Sequence, residues 1–164
     1  MVFFFLGNAL YGQSNASFSI SGSKCYGDSV FFQFTGQGDT LIWDFADVNS
    51  GFYNSSNDSN VVHIFSSKGA FNVRLIVKDT NGLIDTVWQS WSVYNKPIAN
   101  FTSINACIGL NAQFTNTSTS DLNNPISTYL YRFGDGSSSN QASPQHAYTS
   151  TGAKSLKLLV QTTQ

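Results

Sequence analysis

The chain has 164 residues, 41% of them hydrophobic and 15% aromatic, but only 10% charged, with a formal net charge of −1. That length holds one domain or two small ones, and the apolar content suffices for a core. The eight Lys and Arg residues are scattered, which argues against the clustered basic surface that nucleic acid or an anionic membrane requires.

Few charges with abundant aromatic, β-branched and small polar residues suit strands joined by polar turns rather than helices. Residues 2–10 form an apolar run too short to cross a bilayer as a helix. Its position fits the apolar region of a signal peptide over residues 1–13, with Gly12 and Gln13 at the cleavage point. The usual basic start is missing, so the true start is expected upstream. An apolar first strand is the alternative reading.

Residues 16–20 alternate as a strand, and Gly22 turns the chain. Residues 30–34 and 41–45 are strands, the latter with Trp43 and Phe45 on one face. Residues 52–60, rich in Asn and Ser, read as a loop, and 61–65 as a strand ended by a turn at Lys68-Gly69. Phe71, Val73, Leu75 and Val77 then alternate with Asn72, Arg74, Ile76 and Lys78. Asp79-Thr80-Asn81-Gly82 is the best hairpin turn in the sequence, because Asn-Gly accepts positive φ. Residues 84–94 pair back as the last strand of this half.

After Asn95-Lys96-Pro97 the pattern begins again, which sets domains at residues 14–96 and 97–164. Phe101 answers Phe18 and His146 answers His63, each 83 residues on, and Cys107 answers Cys25 at 82. Gly152 answers Gly69, and Val160 answers Val77, again at 83. Tyr131, Phe133 and Asp135 answer Trp43, Phe45 and Asp47 at 88, a slip absorbed by an insertion over residues 118–128 and a shorter loop after Asp135. This is a tandem duplication. The first copy runs about 17 residues beyond Val77, whereas the second ends four residues beyond Val160. The second copy is therefore expected to lack its last strand and to expose an unpaired edge. Either the chain is part of a longer polypeptide whose neighbouring domains continue it, or another segment supplies the strand.

Tyr129, Tyr131 and Phe133 would share one strand face, and Gly134 and Gly136 bracket Asp135 in a tight turn. The string Tyr131-x-Phe133-Gly134-Asp135-Gly136, followed by Pro144-x-His146-x-Tyr148 and Gly152, resembles the PKD (polycystic kidney disease-type) domain. The resemblance implies an all-β fold: two tandem immunoglobulin-like β-sandwiches, the second incomplete, secreted or at the cell surface and non-catalytic. It also implies structural roles for Trp43, Phe45, Asp47, His63, Gly69, Tyr131, Phe133, Gly134, Asp135, Gly136, His146, Tyr148 and Gly152. The first copy departs from the pattern with Ala46-Asp47-Val48 in place of Gly-Asp-Gly and Phe65 in place of Tyr. The second has Lys154 where the first has Phe71, which weakens its core strand. Such repeats can carry a disulfide between an early strand and the last hairpin, but Leu83 stands in that hairpin and no second cysteine does. Cys25 then reads as a small buried residue, and Cys107 as free to pair beyond Gln164.

No nucleophile–base motif, zinc-binding pair or phosphate loop occurs, so neither an enzyme nor a cofactor or metal is expected. The histidines, one per repeat, read as structural hydrogen-bonding groups. Asp39, Asp44, Asp47 and Asp58 crowd the loops of the first copy without calcium-binding spacing, and read as solvated turn residues. Trp88 falls on the outward face of its strand amid Ser90 and Ser92. It would stack on a sugar ring or a protein partner, or pack against a loop or the second domain. The expected role is an interaction and spacer module of an adhesin-like protein, meeting protein or polysaccharide at the cell surface. The alternative is the accessory region of a larger secreted hydrolase.

Overall fold

The computed structural model describes residues 14–164, so the signal-peptide assignment lies outside the described residues. The chain divides into two compact units, with the boundary in the sequence between Val93 and Tyr94. Each is a pair of antiparallel sheets facing one another.

In the first unit, β1 (Phe18–Gly22), β2 (Val30–Phe34) and β5 (Asn60–His63) form one sheet in the order β1-β2-β5. The opposing sheet has the order β4-β3-β6-β7, from β3 (Thr40–Asp44), β4 (Ser55–Ser56), β6 (Gly69–Lys78) and β7 (Ile84–Val93). Period-two alternation decides which side chains meet between them. Phe18, Val30 and Phe32 come from the first sheet, and Leu41, Trp43, Val73, Leu75 and Val77 from the second; all are buried. The aromatic rings interlock across the gap, with Phe18 edge-on to Trp43 at 4.9 Å between centroids. Trp43 Nε1–H donates to the Asp58 carbonyl at 2.8 Å, so its one polar atom is satisfied in the core.

Two local expectations are corrected. Residues 52–60 are not a plain loop: 3-10 turns cover Val48–Asn54, and β4 follows before β5 begins. Asn54 makes the difference, because its side chain accepts the Asp47 N–H and donates to Asp44 Oδ1, closing the turn on itself. In the β6–β7 hairpin only Gly82 takes positive φ, at 84°, and Asn81 does not. The Asp79 carboxylate accepts the N–H groups of Asn81 and Leu83 and holds the turn instead.

The second unit repeats the plan with fewer strands. Its sheets are β12-β9-β8 and β11-β10-β13. The strands are β8 (Phe101–Ile104), β9 (Asn111–Asn116), β10 (Ile126–Arg132), β11 (Ser138–Ser139), β12 (Gln145–Ala147) and β13 (Lys157–Thr162). Tyr131 of β10 stands opposite Leu158 of β13, as Trp43 stands opposite Leu75. Among the described residues no strand corresponds to β7, as expected. The core shrinks accordingly: thirteen apolar side chains are buried in the first unit's cluster and four in the second's, Ala112, Phe114, Tyr131 and Phe133.

Lys154 lies outside β13, which begins only at Lys157. Its ammonium lies 5.8 Å from the Tyr148 ring and donates to Ser150 Oγ.

Candidate functional site

The two glycine-or-alanine turns each hold a carboxylate against a histidine. In the second unit Gly134 at φ 80° and Gly136 at φ 96° turn the chain after Phe133, and Asp135 Oδ2 lies 2.7 Å from His146 Nε2. Ser137 donates both its hydroxyl and its N–H to Asp135 Oδ1. Those bonds, the Ser137 hydroxyl foremost and then His146, hold the Asp135 carboxyl well below the usual carboxylate range. In the first unit Ala46 adopts φ 56°, so the turn keeps its shape without the glycine. Asp47 Oδ2 lies 3.0 Å from His63 Nε2, and both residues are 2% exposed.

Asp47 is therefore not a solvated turn residue. The chain folds over it, and Ser66 donates its N–H at 2.8 Å and its hydroxyl to the carboxylate. Burial pushes the Asp47 carboxyl up, but the Ser66 and His63 bonds outweigh it and hold it below the ordinary value. The histidine rings are fixed by stacking. His63 lies parallel to Phe45 at 4.3 Å and edge-on to Phe65 at 4.6 Å; His146 lies parallel to Phe133 at 4.2 Å and edge-on to Tyr148 at 4.6 Å. Tyr148 caps the group by donating its hydroxyl to the Phe133 carbonyl.

Ser137, His146 and Asp135 bring three catalytic residue types together, but their geometry is not that of a relay. Ser137 Oγ, at 3.2 Å, and Asp135 Oδ2 both contact Nε2 of the ring. A serine nucleophile needs its base nitrogen free and the carboxylate on the other nitrogen. Here the carboxylate occupies the nitrogen that would take the serine proton. Of the remaining motif residues, Gly69 opens β6 at φ 147° and Gly152 adopts φ 107° ahead of β13. Cys25 is half-buried rather than buried, and Cys107 is exposed; both are free thiols.

A different surface offers contact. The outward row across β3, β6 and β7 reads Asp44, Arg74, Trp88 in register. Trp88 is 58% exposed. The Arg74 guanidinium lies 5.2 Å from the centre of its ring, and Arg74 Nη2 donates to Asp44 Oδ2 at 3.0 Å. Carboxylate, guanidinium and indole thus form one fixed strip. Beside it lie Ile42, 45% exposed, and the hydrogen-bonded pair Ser90 and Asn72. Trp91, three residues further along β7, faces inward and packs on the core. Sequence reasoning found Trp88 but missed Arg74 and Asp44 beside it. The hairpin turn carried the signal, because the Lys78–Ile84 pair that closes it fixes Arg74 opposite Trp88.

Among the described residues no helix is long and apolar enough to cross a membrane. A microbial collagenase of Vibrio alginolyticus is 27% identical to the chain over 127 residues. The match takes in 72% of the chain but spans only 15% of the collagenase's length. A solved carbohydrate-binding module of the β-sandwich superfamily, described for its promiscuous specificity, is 14% identical with a TM-score of 0.43, over 91% of this chain and 84% of that one. The amphioxus IgVJ-C2 molecule is 11% identical with a TM-score of 0.34, over 84% and 96% of the two chains. The PKD domain model matches twice, over residues 18–92 and 94–164, and the chain accordingly belongs to the PKD domain family.

Proposed function

We propose that residues 14–96 and 97–164 are two modules of a non-catalytic accessory region in a larger secreted protein, and that the first module grips an extracellular polymer through the Trp88 strip. The observation that carries this reading is the exposed Trp88 ring, with the Arg74 guanidinium 5.2 Å from its centre and that guanidinium anchored on Asp44. An indole fixed in this way presents apolar area at little entropic cost, beside hydrogen-bonding groups. The strip suits the ring faces of a polysaccharide or the proline and aromatic side chains of a fibrous protein.

The likeness to a microbial collagenase supports the accessory region of a secreted hydrolase over a free-standing adhesin as the setting. In that setting the modules hold a catalytic domain near insoluble substrate and space it from its neighbours, and the tandem itself turns nothing over.

The test is a pull-down of the chain on insoluble collagen and on a panel of insoluble polysaccharides, with Trp88→Ala as the comparison. Binding to one polymer class, lost about tenfold or more in the variant, is expected from the removal of one central aromatic contact. Equal retention of Trp88→Ala and the parent chain would overturn the site. Binding only to whole cells, with none to either polymer, would favour the adhesin setting.

A further inference from the structure

The outward row Ser55, Asp44, Arg74 of the first unit recurs in the second as Ser138, Arg132, Lys157, in the same register. Tyr131 and Phe133 on either side of Arg132 are buried, so the Arg132 side chain points away from the core, and the exposed Lys157 stands beside it. Where the first unit sets a carboxylate against a guanidinium, the second sets a guanidinium against an ammonium. Residues directly opposite on adjacent strands have Cβ atoms about 5 Å apart, and like charges so placed repel. Both neighbours of Arg132 in the row belong to the sheet, Ser138 on one side and Lys157 on the other. The want of a carboxylate beside it is therefore a property of β10, β11 and β13 themselves.

An open cleft of about 530 Å³ is lined by this pair. The rest of its wall is Ser137, Ser138, Ser155 and the two glycines of the turn, with no aliphatic or aromatic residue. Asp135 stands in the same turn but not on the wall, because His146 and Ser137 hold its carboxylate. The side chains of Arg132, Lys157, Ser138 and Ser155 have no hydrogen-bond or ion-pair partner among the described residues. Gly136 keeps the rim low: a Cβ built there would meet nothing within 4 Å.

We infer that this cleft binds the sulfate or carboxylate group of an acidic polysaccharide. An anion between Arg132 and Lys157 turns their repulsion into charge-assisted contacts, with the guanidinium offering a planar fork of N–H donors. Ser138 and Ser155 add hydroxyls for the same anion or for the sugar hydroxyls beside it. A wall without apolar side chains suits a ring that carries hydroxyls, whereas an apolar peptide side chain finds nothing there to pack on. Two cations are too few to hold a nucleic-acid backbone. The site is separate from the Trp88 strip and stands whether or not that strip binds.

The test is affinity electrophoresis of the whole chain at low salt, in gels containing dextran sulfate, polygalacturonate, uncharged dextran or poly-glutamate. Retardation by dextran sulfate, by polygalacturonate or by both is expected, and it tells sulfate from carboxylate as the group held. Uncharged dextran is expected to give none. Arg132→Gln and Lys157→Gln are each expected to weaken the interaction about tenfold. Lys78→Gln removes the same charge from the first unit, and a loss below about twofold is expected. Either change at the cleft relieves a repulsion, so the urea midpoint of the second unit is not expected to fall, which separates lost binding from lost folding. Four results would overturn the inference: no retardation by either acidic polysaccharide, equal retardation by uncharged dextran, a loss in Lys78→Gln as large as in Arg132→Gln, or retardation by poly-glutamate alone. The last would make an acidic peptide the occupant of the cleft.

Discussion

Ala46 and Gly134 both turn the chain with positive φ, 56° at the alanine and 80° at the glycine, each just before the aspartate that meets a histidine. Only the glycine adopts it without a steric penalty. Ala46 is the one non-glycine residue with positive φ among the described residues. Ala46→Gly is expected to stabilise the first unit by about 1 kcal/mol, the left-handed strain less the added freedom of the unfolded glycine. The reverse change is not symmetrical. A Cβ on Gly134 would lie 2.6 Å from the Ser155 carbonyl oxygen, so Gly134→Ala adds a clash to the strain and is expected to cost about 2 kcal/mol. Urea midpoints of the two variants check the opposite signs.

The buried carboxylate sets the acid limit of the first unit. The folded Asp47 carboxyl lies below its ordinary value of 3.8. A group whose folded pKa is lowered contributes stability in full above the unfolded value, and that contribution drains away as pH falls through the folded value. The first unit is therefore expected to hold its urea midpoint above about pH 5 and to lose stability progressively below about pH 4. Asp47→Ala strands the His63 ring and the Ser66 N–H, and is expected to cost about 3 kcal/mol at neutral pH while flattening the acid dependence. All three tryptophans, Trp43, Trp88 and Trp91, lie in the first unit, so tryptophan fluorescence reports this transition selectively. Asp135 has its pKa lowered as well, and the same direction of pH dependence holds for the second unit.

Trp88 and Trp91 lie three residues apart on one strand and are expected to behave as opposites. Trp88→Ala removes an exposed ring whose described contact is the Arg74 guanidinium, so its cost in stability is about 0.5–1 kcal/mol. Trp91→Ala opens the side of the core that β7 closes, and about 2 kcal/mol is expected for a half-buried ring. A Trp88 variant as unstable as the Trp91 variant would show that the outer indole is a packing residue.

The alternation of Phe71, Val73, Leu75 and Val77 reads as a buried strand in the sequence because period two leaves no other face for four apolar residues. The duplication is legible for a related reason: histidine and cysteine occur only twice each, and their recurrence 83 and 82 residues apart stands out. What stays hidden depends on contacts between distant segments. The depth of Asp47 follows from the path of Ser66 over it, and serine is too common here to signal that role. The two units even take their hydroxyls from different places, Ser66 beyond the histidine and Ser137 beyond the aspartate. The Trp88 strip lies between these cases, since the hairpin register determines it but only once three strands are laid side by side.

Phe71 and Lys154 hold corresponding positions with different partners, and a swap isolates what that position contributes. In the first unit Phe71 packs on Phe65 at 4.3 Å between ring centres. In the second, Lys154 reaches over Tyr148 and ties itself to Ser150. Lys154→Phe gives up a solvent-exposed cation–π contact and one hydrogen bond, together about 1 kcal/mol. In exchange it places an aromatic ring against Tyr148, where burial of apolar area returns about 1.5–3 kcal/mol if the ring is fully covered. Lys154 is only half-buried, so a ring at this position stays partly open to solvent. The variant is therefore expected to change the stability of the second unit by less than about 1 kcal/mol. Urea unfolding followed by amide exchange at residues 94–164, in the parent chain and in Lys154→Phe, measures the difference.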